Sequence, residues 1–172
     1  PGFGERRGTG GDVERGLVFA PTGSPTSDFY GADRKGQNLY GNSLIALDAA
    51  TGKLKWFQQL VHHDIWDWDL PAAPILIDVN RNGRRVPAVA QMTKMSTLFI
   101  FDRETGAPLF GLEERPVPQS DVPGEATWPT QPFPLNPPPL SRTTFDPEKD
   151  FYTLTPEHAA YCRDLWNTHK MY

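Results

Sequence analysis

A single cysteine, Cys162, stands in 172 residues, so the chain can form no internal disulfide, no cysteine-based zinc site and no redox pair. Long apolar runs are missing too: none approaches the roughly 18 residues that a membrane-crossing helix needs. Positive charge is not in excess. With 17 Lys and Arg against 21 Asp and Glu, the formal charge is -4, which leaves no general attraction for nucleic acid. The chain opens on Pro1-Gly2-Phe3-Gly4 without an initiator Met or the charged and apolar regions of a secretory signal, and a piece of a longer protein is expected. Proline, by contrast, is plentiful and uneven. Eleven of the 18 prolines lie between Pro108 and Pro147, and only five between Val13 and Phe101. Two regions are therefore expected, an ordered one over 1–112 and a proline-rich one over 113–172.

In the first region, short runs rich in β-branched and aromatic residues alternate with turn chemistry, the pattern of strands rather than helices. Strands are expected at 17–20, 43–47, 54–61, 75–79, 86–92 and 97–101. Between them sit Pro21-Thr22-Gly23-Ser24-Pro25, Thr51-Gly52-Lys53 and Asn80-Arg81-Asn82-Gly83, where Gly and Asn reach positive φ cheaply. In the second region, Arg115-Pro116-Val117-Pro118 and Pro137-Pro138-Pro139 oppose both helix and central strand, because proline lacks an N–H and fixes φ. A long excursion over a surface is expected there. It ends in one helix from about 156 to 169, with Thr155 as N-cap, Pro156 at the first helical position and Glu157 in the first turn.

An internal repeat organises the first region. Leu44-Ile45-Ala46-Leu47-Asp48-Ala49-Ala50-Thr51-Gly52-Lys53-Leu54-Lys55-Trp56 aligns, at an offset of 54 residues, with Leu98-Phe99-Ile100-Phe101-Asp102-Arg103-Glu104-Thr105-Gly106-Ala107-Pro108-Leu109-Phe110. Each copy reads apolar strand, Asp, two spacers, Thr-Gly, then an aromatic. The Asp can bond the turn backbone, the Gly takes the strained position, and the aromatic packs on the neighbouring unit. Recurrence at this spacing in an all-β pattern points to propeller blades. A ring needs at least four blades, so two must be completed from elsewhere.

The densest polar and aromatic cluster is His62-His63-Asp64-Ile65-Trp66-Asp67-Trp68-Asp69-Leu70-Pro71. As a zinc site it is poor, since adjacent His residues point to opposite sides of an extended chain. As a general-base site it is better, because a carboxylate between two indoles is shielded from water and made more basic. A strand-end Asp among core aromatics is the plainer alternative. Asp78-Val79-Asn80-Arg81-Asn82-Gly83 matches half of a calcium loop, but Val89 stands where the closing Glu is needed, and a hairpin turn is expected. Gly8-Thr9-Gly10-Gly11 lacks the strand and helix of a phosphate-binding loop.

The runs Gly16-Leu17-Val18-Phe19-Ala20-Pro21-Thr22-Gly23 and Asp28-Phe29-Tyr30-Gly31, the repeat Leu47 to Trp56, and above all His62 through Pro74 resemble the pyrroloquinoline-quinone (PQQ) dependent dehydrogenases. The resemblance is nearest to the membrane-associated glucose dehydrogenase branch, which shares stretches like Pro116-Val117-Pro118-Gln119 and Thr130-Gln131-Pro132-Phe133. It covers the chain from about Asp12 onward. It implies an all-β fold, about two four-stranded blades of an eight-bladed propeller, with the proline-rich insertion and C-terminal helix beside them. It also implies PQQ and a calcium or magnesium ion as cofactors, and periplasmic oxidation of an aldose or alcohol. Electrons would pass to a quinone or cytochrome acceptor, and any membrane anchor would lie outside the 172 residues.

On the family's pattern the catalytic base falls on Asp67, which would take the substrate hydroxyl proton while hydride passes to the quinone. The basic residue that contacts the quinone falls on Lys94 of Met92-Thr93-Lys94-Met95, where its charge would stabilise the reduced cofactor. Two departures stand out. Alcohol-oxidising members carry an Asn cation ligand where this chain has Ser24, so Ser24 and Asp67 are weak candidate metal ligands. The adjacent-cysteine disulfide of methanol-oxidising members has no counterpart. The partners implied are a small sugar or alcohol, the electron acceptor and the remaining blades of the same protein, with no nucleic acid. The alternative is a non-catalytic propeller that serves as a binding scaffold.

Overall fold

The computed structural model describes residues 9–151 and 154–169. The expectations for Pro1-Gly2-Phe3-Gly4 and for Gly8 lie outside the described residues. Two compact units divide after residue 140, Pro1–Leu140 and Ser141–Tyr172, so the first unit continues past residue 112 into the proline-rich region.

In the first unit, β1 (Gly10–Asp12), β2 (Leu17–Pro21), β3 (Ser43–Asp48) and β4 (Leu54–Gln59) form one antiparallel sheet in chain order. A second antiparallel sheet holds β5 (Ile75–Arg81), β6 (Arg84–Met92) and β7 (Leu98–Asp102). Each expected strand is present, and β1 is an addition. Its Gly10-Gly11 pair carries no apolar pattern, and pairing with Leu17 to Phe19 makes it a strand.

The repeat turns match bond for bond. Asp48 Oδ1 accepts from Thr51 N at 2.9 Å and Thr51 Oγ1 at 2.8 Å, and Asp102 Oδ1 from Thr105 N at 2.8 Å and Thr105 Oγ1 at 2.9 Å. Gly52 and Gly106 close the turns at φ 68 and 73. Beyond the turns the copies diverge. Leu54 opens β4 opposite Leu47, whereas its counterpart Pro108 makes only an isolated bridge to Phe101. The expectation of two four-stranded blades therefore holds for the first sheet only. Pro108 falls on a pair that exchanges no hydrogen bonds, flanked by Asp102 N to Ala107 O at 2.8 Å and Leu109 N to Ile100 O at 2.9 Å, and the strand stops where Gly111, at φ 85, turns the chain away.

The two sheets share one core. Leu17, Phe19, Leu44, Ala46 and Trp56 from the first meet Val89, Phe99 and Phe101 from the second. Trp56 is the hinge between them, with its ring 5.6 Å from Phe19 and 6.3 Å from Phe101. Its Nε1 donates to Arg103 O at 3.1 Å, and its ring lies against Gly106 so closely that a Cβ there would stand 2.6 Å from Trp56 Cδ2. The repeat's aromatic thus docks on the neighbouring unit's turn. A buried ion pair adds to the junction: Arg103 reaches Asp12 at 2.9 Å and also bonds the carbonyls of Ile77 and Ala88. Burial pushes the Asp12 carboxyl up, but the bonds from Arg103 and Arg15 outweigh it and the net shift is down.

The proline-rich region, expected as a long excursion over a surface without central strands, also holds a two-stranded hairpin, β8 (Leu112–Pro116) with β9 (Thr130–Pro134). The flanking bonds, Val117 N to Pro129 O and Leu135 N to Gly111 O, set the hydrogen-bonded pairs on odd-numbered residues. Pro116, Pro132 and Pro134 therefore fall on pairs that exchange no hydrogen bonds, where a missing N–H costs nothing. Asn82 and Gly83, at φ 52 and 75, make the two-residue β5–β6 turn, and Asp78 pairs with Arg85; this is the expected hairpin.

In the second unit, α1 (Pro156–His169) covers the expected helix. Thr155 Oγ1 accepts from His158 N at 3.2 Å, the N-cap bond. Phe145, Phe151 and Trp166 cluster with ring centroids 5.0 to 6.0 Å apart. Among the described residues no helix is long and apolar enough to cross a membrane.

Candidate functional site

Antiparallel order sends alternate connections to opposite ends of the sheets. The Asp48, Asn82 and Asp102 turns fall at one end, and the β2–β3, β4–β5 and β6–β7 connections at the other. Those three connections carry Ser24 and Asn42, the run from His62 to Pro71, and Lys94, so topology alone gathers the chemistry-bearing residues.

The structure brings the sequence-derived candidates together. Lys94 Nζ lies 2.8 Å from Asp67 Oδ2 and 3.3 Å from Asp69 Oδ2. Ser24 N donates to Asp69 Oδ1 at 2.6 Å. The three sites thus share one bonded chain, Ser24–Asp69–Lys94–Asp67. Burial draws the Lys94 pKa down, but the two carboxylates outweigh it and hold the ammonium above its ordinary value. Asp28 borders the same cluster. Burial first, then the charges of Asp67, Asp69 and Asp64, push its carboxyl up.

Asp67 is not enclosed between indoles. Trp66 and Trp68 stack on each other with centroids 4.4 Å apart, which leaves no room for a carboxylate between them. Asp67 instead takes a left-handed backbone, φ 57, and its side chain retains 29% exposure beside Lys94. The adjacent histidines diverge as expected. His62 Nε2 meets Glu114 Oε1 at 3.0 Å, and His63 Nδ1 donates to Gly36 O at 2.7 Å.

Three residues of the site were not singled out from sequence: Asp64, Asn42 and Asp69. Asp64 is fully buried and accepts from Trp66 N at 2.9 Å, Trp68 N at 2.8 Å and Asn42 Nδ2 at 2.8 Å, as well as from Ser24 Oγ. Asp64 and Asp69 sit in the conspicuous run, but spacing says nothing of which acid is buried. Asn42, at φ 47 before β3, reads in sequence as an ordinary turn residue.

The donors suit the implied cofactors in kind. Lys94 offers a cation to an anionic quinone, and Ser24, Asp67 and Asp69 offer only hard oxygen, the chemistry that calcium and magnesium prefer. In number they fall short. Among the described residues no group of three His, Cys, Asp or Glu is placed to hold a metal ion, and Ser24 Oγ is already bonded to Asp64 and Asn42. Calcium takes about 6–8 oxygens, so most of such a shell would come from outside these residues.

Two antiparallel sheets that carry a sequence repeat, share one core and gather their polar connections at one end have the form of neighbouring propeller blades. The family model for the PQQ glucose/ethanol/alcohol dehydrogenase β-propeller domain matches residues 8–172, and the chain belongs to that family. It is 42% identical over 140 residues to the quinoprotein glucose dehydrogenase of Escherichia coli (strain K12), covering 81% of this chain and 17% of that protein. To a probable quinate dehydrogenase (quinone) of Xanthomonas campestris pv. juglandis it is 42% identical over 154 residues, covering 88% and 19%. The quinohemoprotein alcohol dehydrogenase of Comamonas testosteroni superposes with a TM-score of 0.55 at 27% identity, over 70% of this chain and 19% of that one. The chain spans less than a fifth of each of these relatives. It is part of a propeller.

Proposed function

We propose that the whole protein is a PQQ-dependent dehydrogenase that oxidises the carbinol of an aldose or related polyol, and that this chain contributes its catalytic base. The observation that carries the reading is the 2.8 Å pairing of Asp67 with Lys94 at the loop end of the sheets, within a family of glucose, ethanol and alcohol dehydrogenases. Relatives that act on glucose, quinate and glycerol favour a polyhydroxylated substrate.

Bound PQQ would supply the acceptor for the hydride of the carbinol carbon. Asp67 holds the substrate hydroxyl and takes its proton. Lys94 engages Oδ2, which leaves Oδ1 as the oxygen presented to the substrate. An ammonium has three N–H donors; Asp67 and Asp69 take two, and the third is available to hold the cofactor. Asp67, and Ser24 only if its hydroxyl exchanges its bonds to Asp64 and Asn42 for the ion, would be this chain's share of a calcium or magnesium shell. Transfer of electrons to a quinone or cytochrome, in the periplasm, completes the reading and rests on the sequence resemblance.

The test uses the full-length protein loaded with PQQ and calcium, with dye reduction by glucose, glycerol and ethanol as the readout. Turnover with a polyol is expected. Asp67→Asn is expected to cut kcat at least about a hundredfold while PQQ titration, followed by absorbance, stays unchanged. A loaded protein inactive on all three donors, or an Asp67→Asn variant near wild-type turnover, would refute the proposal.

A further inference from the structure

We propose that Asp64 is the positioning residue for Asp67, acting through the two backbone N–H groups that flank it. The inference rests on the reading of Asp67 as the base. Asp64 Oδ1 accepts from Trp66 N at 2.9 Å and Oδ2 from Trp68 N at 2.8 Å, so one carboxylate closes the chain into a loop around position 67. With both neighbouring N–H groups turned inward, the side chain of Asp67 is directed out toward Lys94. The loop holds Asp67 in the left-handed region at φ 57, a conformation that L side chains adopt at a steric cost and that the two bonds to Asp64 help to hold.

The burial of Asp64 is itself informative. A fully buried carboxylate is costly unless its oxygens are well supplied with donors. Here they are supplied in full, by two backbone N–H groups, the Ser24 hydroxyl and Asn42 Nδ2. Asn42 adds a tie of its own, donating to Trp68 O at 3.1 Å. Arg34 fixes the base of the loop by donating to Asp64 O at 2.6 Å. All of these bonds converge on the loop that carries Asp67. A catalytic group displaced by about 1 Å can lose a factor of 10² in rate, so a rigid loop has a kinetic consequence.

Asp64→Asn preserves shape but replaces one acceptor oxygen with a donor, so one flanking N–H loses its partner. Asn42→Gly removes only the side-chain donors and tolerates the positive φ at 42; it serves as the milder variant should Asp64→Asn fold poorly. Both are made in the full-length protein. In the PQQ-free protein, amide hydrogen exchange of the 64–69 segment is expected to speed up at least about tenfold in Asp64→Asn, with β3 and β4 unchanged. In the loaded enzyme, kcat per bound PQQ is expected to fall about 10–100-fold for Asp64→Asn and less for Asn42→Gly, with KM within about threefold. Unchanged exchange, exchange that rises evenly through the sheets, or kcat per bound PQQ within twofold of wild type in both variants would overturn the inference. Asp67→Asn in the same assay separates the two readings. If it retains turnover, the base assignment fails; if it alone is inactive, only the positioning role fails.

Discussion

Asp48 shows how much one side chain organises at the residue scale. Bonds from the Thr51 hydroxyl, then the Thr51 N–H, then Lys55, hold its carboxyl down at about 2. The sign follows from linkage. A carboxyl with a depressed pKa in the folded protein adds stability that is present in full above the ordinary value of 3.8 and is lost as pH falls toward 2. Asp48→Ala is therefore expected to lower Tm by a few degrees at pH 7, and the difference should shrink to a small fraction as pH falls through about 2. Thermal melts of both proteins across that range check it, and a difference that persists undiminished at the lowest pH would show that the carboxylate charge is not the cause.

At the element scale, the Asp-x-x-Thr-Gly turn is both a hairpin closure and a docking surface. Gly106 combines φ 73 with a Trp56 ring that leaves no space for a methyl group. Gly106→Ala should cost about 1–2 kcal/mol for the left-handed backbone and about 1–3 kcal/mol more for displacing the indole. Equilibrium denaturation would measure it, and a loss below about 1 kcal/mol would contradict the packing argument. The N-cap of α1 gives a smaller, local prediction. Thr155→Ala is expected to remove about 1 kcal/mol of helix stability, visible as lost helical circular dichroism; an unchanged spectrum on heating would mean that the Oγ1–His158 N bond contributes nothing.

These elements also show what sequence can reveal. Strands at 17–21, 43–48 and 98–102 announce themselves because they are short apolar runs bounded by turns that use Asp, Asn and Gly where positive φ is needed. The β8–β9 hairpin is hidden because proline content argues against strands, and only the register shows that each strand proline avoids a bonded pair. The truncated fourth strand of the second sheet is not foretold by the repeat, because it stops only where Gly111, beyond the repeat, turns the chain away. In the site, Asp67, Lys94 and Ser24 are legible through the family's motif. Asp64 and Asn42 are not, because burial and the direction of hydrogen bonds belong to the fold and not to the spacing.

At the scale of the whole molecule, two sheets cannot close a propeller, which needs at least four blades. Within this chain one docking event is complete, Trp56 on the Gly106 turn. The repeat implies two more that this chain leaves open. The Gly52 turn has the same backbone, at φ 68, but no heavy atom within 4 Å of where a Cβ would stand. Phe110, the counterpart of Trp56, is half-buried with the Arg81 guanidinium 5.5 Å over its ring, and it docks on no repeat turn among the described residues. If blades repeat around a ring, the blade before this chain presents an aromatic to Gly52, and Phe110 meets the turn of the blade after it. In the full-length protein, Gly52→Ala should then cost as much as Gly106→Ala, about 2–5 kcal/mol. Paired denaturation of the two variants decides it. A Gly52→Ala loss of only about 1–2 kcal/mol, the backbone cost alone, would mean that nothing docks on the first turn and that the ring is joined there by other contacts.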